Sequence, residues 1–287
     1  MRAIYERELK AYFQGIMGYL FIAFILLFAG IFVLIVNLAG GQTYFEYVLG
    51  NMSFIFLVAI PILSMRVISE ERRQKTDQLL YALPMSMFKI VLGKYLAMVT
   101  VMAIPTVIIG IYPLILSSYG NVNLLTSYSA LLAFFFLGAS LLAIGMFVSS
   151  VTENPVVSAA LCFLVMMINY FVADLAGYVP SCAAGSFVAL TGCAVLIGLF
   201  FKLMTKDNFI AFSAAVLCEI PLTAVMLFNK EALVGMFPQI MKELSVFQRF
   251  YVFIDGTCDI TAFVYFLSVI AVFVYLTVQS LERRRWN

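Results

Sequence analysis

Eight nearly charge-free apolar segments run through this chain, at about 18–38, 46–65, 89–117, 127–149, 155–175, 183–203, 209–229 and 260–281. A helix that crosses a bilayer needs about 20 mostly apolar residues, and each segment is long enough. In hydrocarbon every backbone N–H and C=O must be satisfied within its own segment, so such runs fold as helices. Composition agrees: 64% of the residues are hydrophobic and 11% charged, against roughly 45–50% and about 25% in soluble domains. The expected fold is an all-α polytopic membrane protein of about eight transmembrane helices, forming one membrane domain over residues 1–287. The first ten residues are charged, and the apolar run after them is too long for a cleavable signal and lacks a small-residue cleavage site.

Lys and Arg set the orientation, because they accumulate on the cytoplasmic side. With both termini inside, fourteen of the seventeen fall there: Arg2, Arg7, Lys10, Arg66, Arg72, Arg73, Lys75, Lys89, Lys94, Lys202, Lys206 and Arg283 to Arg285. Only Lys230, Lys242 and Arg249 fall outside. A cell membrane protein with cytoplasmic N- and C-termini follows.

Six of those cations lie in one island, residues 66–94, together with Glu70, Glu71 and Asp77. A loop this charged between two spans sits in water. Thr76 is suited to cap a short helix carrying Leu79, Leu80 and Leu83 on one side. Pro84 ends it, since the residue before a proline avoids the helical region, and Ser86 caps the next span. Topology alone needs only the positive charges. The ordered mix of acid, base and leucine reads as a lever on which a peripheral partner could push.

Two other stretches are amphipathic without spanning. In 1–16, Ile4, Tyr5, Leu9, Tyr12, Phe13 and Ile16 recur at helical spacing, with Arg2, Glu6, Arg7, Lys10 and Gln14 on the other side. Such a helix lies flat in the cytoplasmic interface with its cations toward lipid headgroups. In 230–259, Phe237, Ile240, Met241, Leu244, Phe247, Tyr251 and Ile254 keep a similar spacing, Pro238 suits a first turn, and Asp255-Gly256 supplies a turn. One or two short external helices before the last span are expected. Within the spans, Pro61, Pro105, Pro113 and Pro221 each remove a backbone donor, and bends are expected there. Gly138, Ala139, Ala143 and Gly145, and likewise Gly185, Ala189 and Gly192, form small-residue strips, read as ordinary intrachain packing.

No enzyme constellation is present. Without histidine there is neither a His-based triad nor an imidazole metal site. Gly93-Lys94 resembles a phosphate loop only superficially, because Phe88 stands at the first glycine and Tyr95 at the Ser/Thr. The five cysteines lack metal spacing. Cys182 and Cys258 lie near the outer ends of spans, where a disulfide is one reading and two free thiols the preferred one. No basic-aromatic groove for nucleic acid is visible. Glu219 is the one ionisable residue near the middle of a span. A charge there costs roughly 2.5–3.5 kcal/mol on insertion scales. It reads either as a substrate or proton site or as a partner for backbone groups freed by Pro221.

The stretch MRVISEERRQKTDQLLYALPMSMFKIVLGKYLA resembles the cytoplasmic segment of type 2 ATP-binding-cassette exporter permeases. Arg66, Glu70, Glu71, Arg72, Arg73, Thr76, Leu79, Leu80, Pro84, Ser86, Gly93 and Lys94 fit that pattern, while Asp77 stands one place before the usual acid. Three more stretches support it: RELKAYFQGIMGYLFIA, SSVTENPVVSAAL and FVYFLSVIAVFVYLTVQSLERRRW. Together they are most similar to the gliding-motility-type branch. The resemblance covers roughly 1–175 and 244–287, and implies a six-helix core to which about 180–230 adds a helix pair.

It also implies a machine. Two permease chains, identical or paralogous, would join two cytoplasmic ATPase subunits that bind the ATP and magnesium, this chain binding no cofactor. Residues 66–89 would hold the coupling loop, with Glu70, Glu71, Arg72, Arg73, Thr76, Asp77, Leu79, Leu80, Leu83 and Pro84 meeting the ATPase. The helix carrying Arg2, Arg7, Lys10 and Tyr12 would be the family's gate helix. The alternatives are a secondary transporter without an ATPase, which would turn attention to Glu219, and a non-transporting scaffold or sensor.

Overall fold

The computed structural model describes residues 1–76, 86–179, 182–205 and 233–286, with residues 212–213, 216–217, 219–220, 222–223 and 226. Among these residues every regular element is helical and no strand occurs. Five helices are long and apolar enough to cross a membrane: Ile16–Ala39, Met87–Ser117, Leu124–Val151, Pro155–Leu175 and Ile260–Arg284. A bent pair, Glu46–Ser53 with Phe56–Arg73, makes a sixth. These are the first five expected segments and the last. The sixth segment is a helix over Ala183–Thr205, and most of the seventh, 209–229, lies outside the described residues.

In chain order the elements are α1 (Arg2–Gln14), α2 (Ile16–Phe32, continued as a π-helix over Val33–Ala39), α3 (Glu46–Ser53), α4 (Phe56–Ser64), α5 (Ser69–Arg73) and α6 (Met87–Ile109). There follow α7 (Tyr112–Ser117), α8 (Leu124–Val151), α9 (Pro155–Leu175), α10 (Ala183–Thr205), α11 (Met236–Leu244), α12 (Val246–Ile254) and α13 (Ile260–Trp286). They divide into two compact units, one of residues 1–170 and 249–287, the other of residues 171–248.

In the first unit α8 is the axis. Its small-residue strip explains why: Gly138, Ala139, Ala143 and Gly145 are all buried. A Cβ on Gly145 would stand 2.8 Å from Ser64 Cβ and 3.2 Å from Cys162 Sγ, so glycine lets three helices meet there. Aromatic side chains fill the rest. Phe56 stacks on Phe134 at 4.5 Å, Phe134 meets Phe250 at 6.0 Å, and Phe253 packs edge-on against Phe263 at 5.0 Å.

α4 runs through Pro61 and α6 through Pro105. The bend in the second span, 59°, falls at Phe54–Ile55 instead. There the amides of Ile55, Leu57 and Val58 bond three residues back rather than four, and Ser53 Oγ donates to Gly50 O at 2.7 Å. Three-residue bonds tighten the turn and redirect the axis. Pro113 lies in the first turn of α7, just after the break between α6 and α7. Pro221 is outside the described residues.

Near the end of the chain, Gly256 takes φ 81° at the expected turn. Asp259 then caps α13, its Oδ1 accepting from Thr261 N at 2.8 Å. Opposite the island end, buried Glu46 accepts from Thr126 Oγ1 at 2.5 Å and Ser127 Oγ at 3.0 Å, which fixes α3 to the first turns of α8.

The second unit contains α10 and α11. The expected external stretch forms two short helices, α11 and α12, with Pro238 in the first turn of α11. On α10, Gly192 is exposed and a Cβ on it would meet nothing within 4 Å, while Gly185 and Ala189 are half-buried. Cys162, Cys182, Cys193 and Cys258 are free thiols.

Candidate functional site: the charged end of the bundle

The four stretches that carry the resemblance converge at one end of the first unit. α1 is amphipathic as expected, with Ile4 buried and Arg2, Glu6, Arg7 and Lys10 exposed. It packs against α6 and α2. Gly93 permits this approach, since a Cβ there would lie 3.3 Å from Ile4 Cγ2 and 3.4 Å from Met1 O. Tyr5 shares a 3.0 Å hydrogen bond with Thr100, and Tyr12 donates to Leu63 O at 3.2 Å. Arg2 pairs with Glu6 at 2.7 Å on the exposed side.

The next residue, Lys94, is only 2% exposed. Its Nζ lies 3.1 Å from Glu8 Oε1, 2.8 Å from Glu71 Oε1 and 3.0 Å from Val67 O. Arg7 Nη2 reaches the same two carboxylates from the outside, at 2.6 Å and 2.9 Å. Two anions and two cations therefore form a neutral quartet that joins α1, α5 and α6. Burial alone would raise the Glu8 carboxyl, but Lys94 and Arg7 outweigh it and hold it below its usual value. Burial likewise opposes the Arg7 charge, and Glu8 and Glu71 overcome it and raise the guanidinium. Burial, with Glu8 nearby, pushes the Tyr12 phenol up.

The run Glu70-Glu71-Arg72-Arg73 forms the short helix α5, and its members divide by direction. Glu71 and Arg72 turn into the bundle. Arg72 is 7% exposed, and its Nη1 donates to Thr152 O at 3.4 Å. Glu70 accepts from Gln74 Nε2 at 2.8 Å, and Arg73 is exposed. Lys75, at φ 56°, ends α5 in the left-handed region. Thr76 N and Oγ1 then both donate to Glu71 O, at 2.9 Å and 3.2 Å. Asp77, Leu79, Leu80, Leu83 and Pro84 lie outside the described residues.

The turn after α8 completes the end. Ser149 Oγ accepts from Ile68 N and Ser69 N and donates to Met65 O. Asn154 caps α9 through Val156 N at 3.0 Å. From α13, Arg284 bonds Glu153 Oε1 and Val151 O, both at 3.2 Å. Between α1 and α5 an open groove of about 1070 Å³ is lined by Arg7, Tyr12, Met17, Arg66, Glu70 and Gln74 among others.

Glu8 was not singled out in the sequence, and Lys94 entered only as part of a motif. A signal for both exists. Glu8 lies four residues from Ile4 and from Tyr12, on the face that α1 buries, and Lys94 lies inside an apolar segment; each calls for a counter-charge. Glu219 lies in the second unit and is half-buried; the carbonyl of Glu219 accepts from Thr223 Oγ1 at 3.0 Å. No His, Cys, Asp or Glu cluster among the described residues could hold a metal.

Helices this long and apolar define a polytopic membrane protein. The profile of the ABC-2 family transporter proteins matches residues 4–286, and the chain belongs to that family. The match runs through the middle stretch as well as the four convergent segments. No individual curated protein matches the chain. Membership makes this chain a permease component of an ABC transporter, a class that works with a cytoplasmic ATPase.

Proposed function

We propose that the chain is the membrane-spanning subunit of an ATP-driven exporter of the gliding-motility-type branch. Two copies, or one copy and a paralogue, assemble with two cytoplasmic ATPases, and both termini lie in the cytoplasm. ATP and magnesium bind to the ATPases. The coupling segment is 66–89, and about 180–230 is a helix pair added to a six-helix core. One observation supports this above others: the island pairs with the N-terminal helix through Arg7 and Lys94 and bonds the turn at 152–154 through Arg72, and Arg284 pairs with Glu153 in that same turn. A loop that served only topology would need none of these bonds. Family membership favours this reading over a secondary transporter.

Within the coupling segment, Glu71 and Arg72 hold the loop to the bundle, while Glu70 and Arg73 present charge outward to the ATPase. The leucines of 77–84 pack into it. Glu70→Lys combined with Arg73→Glu should therefore abolish stimulation of the ATPase while leaving membrane insertion intact. ATPase assays on the purified complex test this, and unchanged stimulation would refute the assignment.

A further inference from the structure

Lys94 is the least exposed Lys, Arg, Asp or Glu among the described residues, at 2%. An ammonium has three N–H donors, and the three acceptors around Nζ come from α1, α5 and the turn before α5. Nothing in the chain connects α1 to α5 locally; Arg7 and Glu71 are 64 residues apart. Their carboxylates, Glu8 and Glu71, lie against the same two cations. One cation, Arg7, has a side chain 53% exposed and competes with water. The other is sealed inside. Without it, two carboxylates of like charge would face each other in a poorly hydrated site.

The geometry points to Lys94 as a positioning residue that locks the N-terminal helix to the island, so that the two move as one body. It rests on the proposed function only for what displaces the island. A push on α5 then reaches α1 through Lys94 and not through the backbone, and α1 carries it along the face of α6 and α2.

Hydrogen exchange on the full chain in lipid nanodiscs tests this, read over residues 2–14 and 66–76. Lys94→Gln should speed exchange in both segments together, by about tenfold, as expected when a local unit opens more often. Arg7→Gln should change it by less than about threefold, as expected of an exposed pair. Adding Glu8→Gln to Lys94→Gln should restore protection, because it removes the repulsion. A role in filling space alone would make that double variant worse. The inference is overturned if Lys94→Gln affects one segment only, if Arg7→Gln matches it, or if the second change adds damage. Should Lys94→Gln fail to insert, Glu8→Gln alone decides: it should loosen 2–14 and leave 66–76 protected, and an unchanged 2–14 would overturn the clamp. Exchange needs no ATPase. A clamp that holds in a chain that captures no ATPase therefore supports this inference and counts against the proposed function.

Discussion

Ser149 Oγ makes three hydrogen bonds to the backbone where the second span ends, at 3.1, 3.1 and 3.3 Å. It accepts from the amides of Ile68 and Ser69 and shares the Met65 carbonyl with Ser69 Oγ. Ser149→Ala should lose about 1–3 kcal/mol, the cost of leaving buried groups unpaired, and a thermal melt in detergent would read it. Gly145 is as exacting in the opposite sense. Gly145→Ala places a Cβ 2.8 Å from Ser64 Cβ, and overpacking of this kind costs about 1–3 kcal/mol. The small-residue strip on α8 was readable because small residues at helical spacing have one main use in lipid, close approach. Ser149 was not readable, since its partners are 80 and more residues away and a lone serine carries no pattern.

α1 shows how far periodicity reaches. The apolar stripe from Ile4 to Phe13 gives the helix and its face directly, but not its partner. That partner is chosen by Gly93 and Lys94, whose roles appear only when α6 lies alongside. The acid sensitivity of α1 follows from Glu8. Its carboxyl sits below its ordinary value of 4.5, so its contribution is complete above that value. The contribution is lost as the pH falls through the lower folded value. Exchange of residues 2–14, corrected for intrinsic rates and followed downward from neutral pH, should therefore rise only below 4.5. A rise beginning near neutrality would contradict the quartet. The second span teaches the complementary lesson. Proline at 61 suggested the bend, yet the bend forms at residues 54–55, where a serine hydroxyl and three-residue backbone bonds redirect the helix.

For the whole molecule, length and hydropathy were enough for the all-helical membrane class, and the island's motif for the family. The quartet that ties the N-terminal helix to the island, and the bonds of Arg72 and Arg284 to the turn at 151–153, were not legible, because they depend on contacts between residues far apart in the chain. In the proposed function this charged end lies in the cytoplasm, facing an ATPase. Impermeant labelling of cysteines introduced at Lys10 and at Gln74, in intact cells, should fail at both until the membrane is opened. The most direct measurement is extraction from native membranes in mild detergent, with mass spectrometry of what co-purifies. An ATP-driven permease should bring down a soluble ATPase with a phosphate loop, lost when residues 77–84 are scrambled while the chain still inserts. Recovery of the chain alone, under conditions that keep other membrane complexes intact, would contradict it.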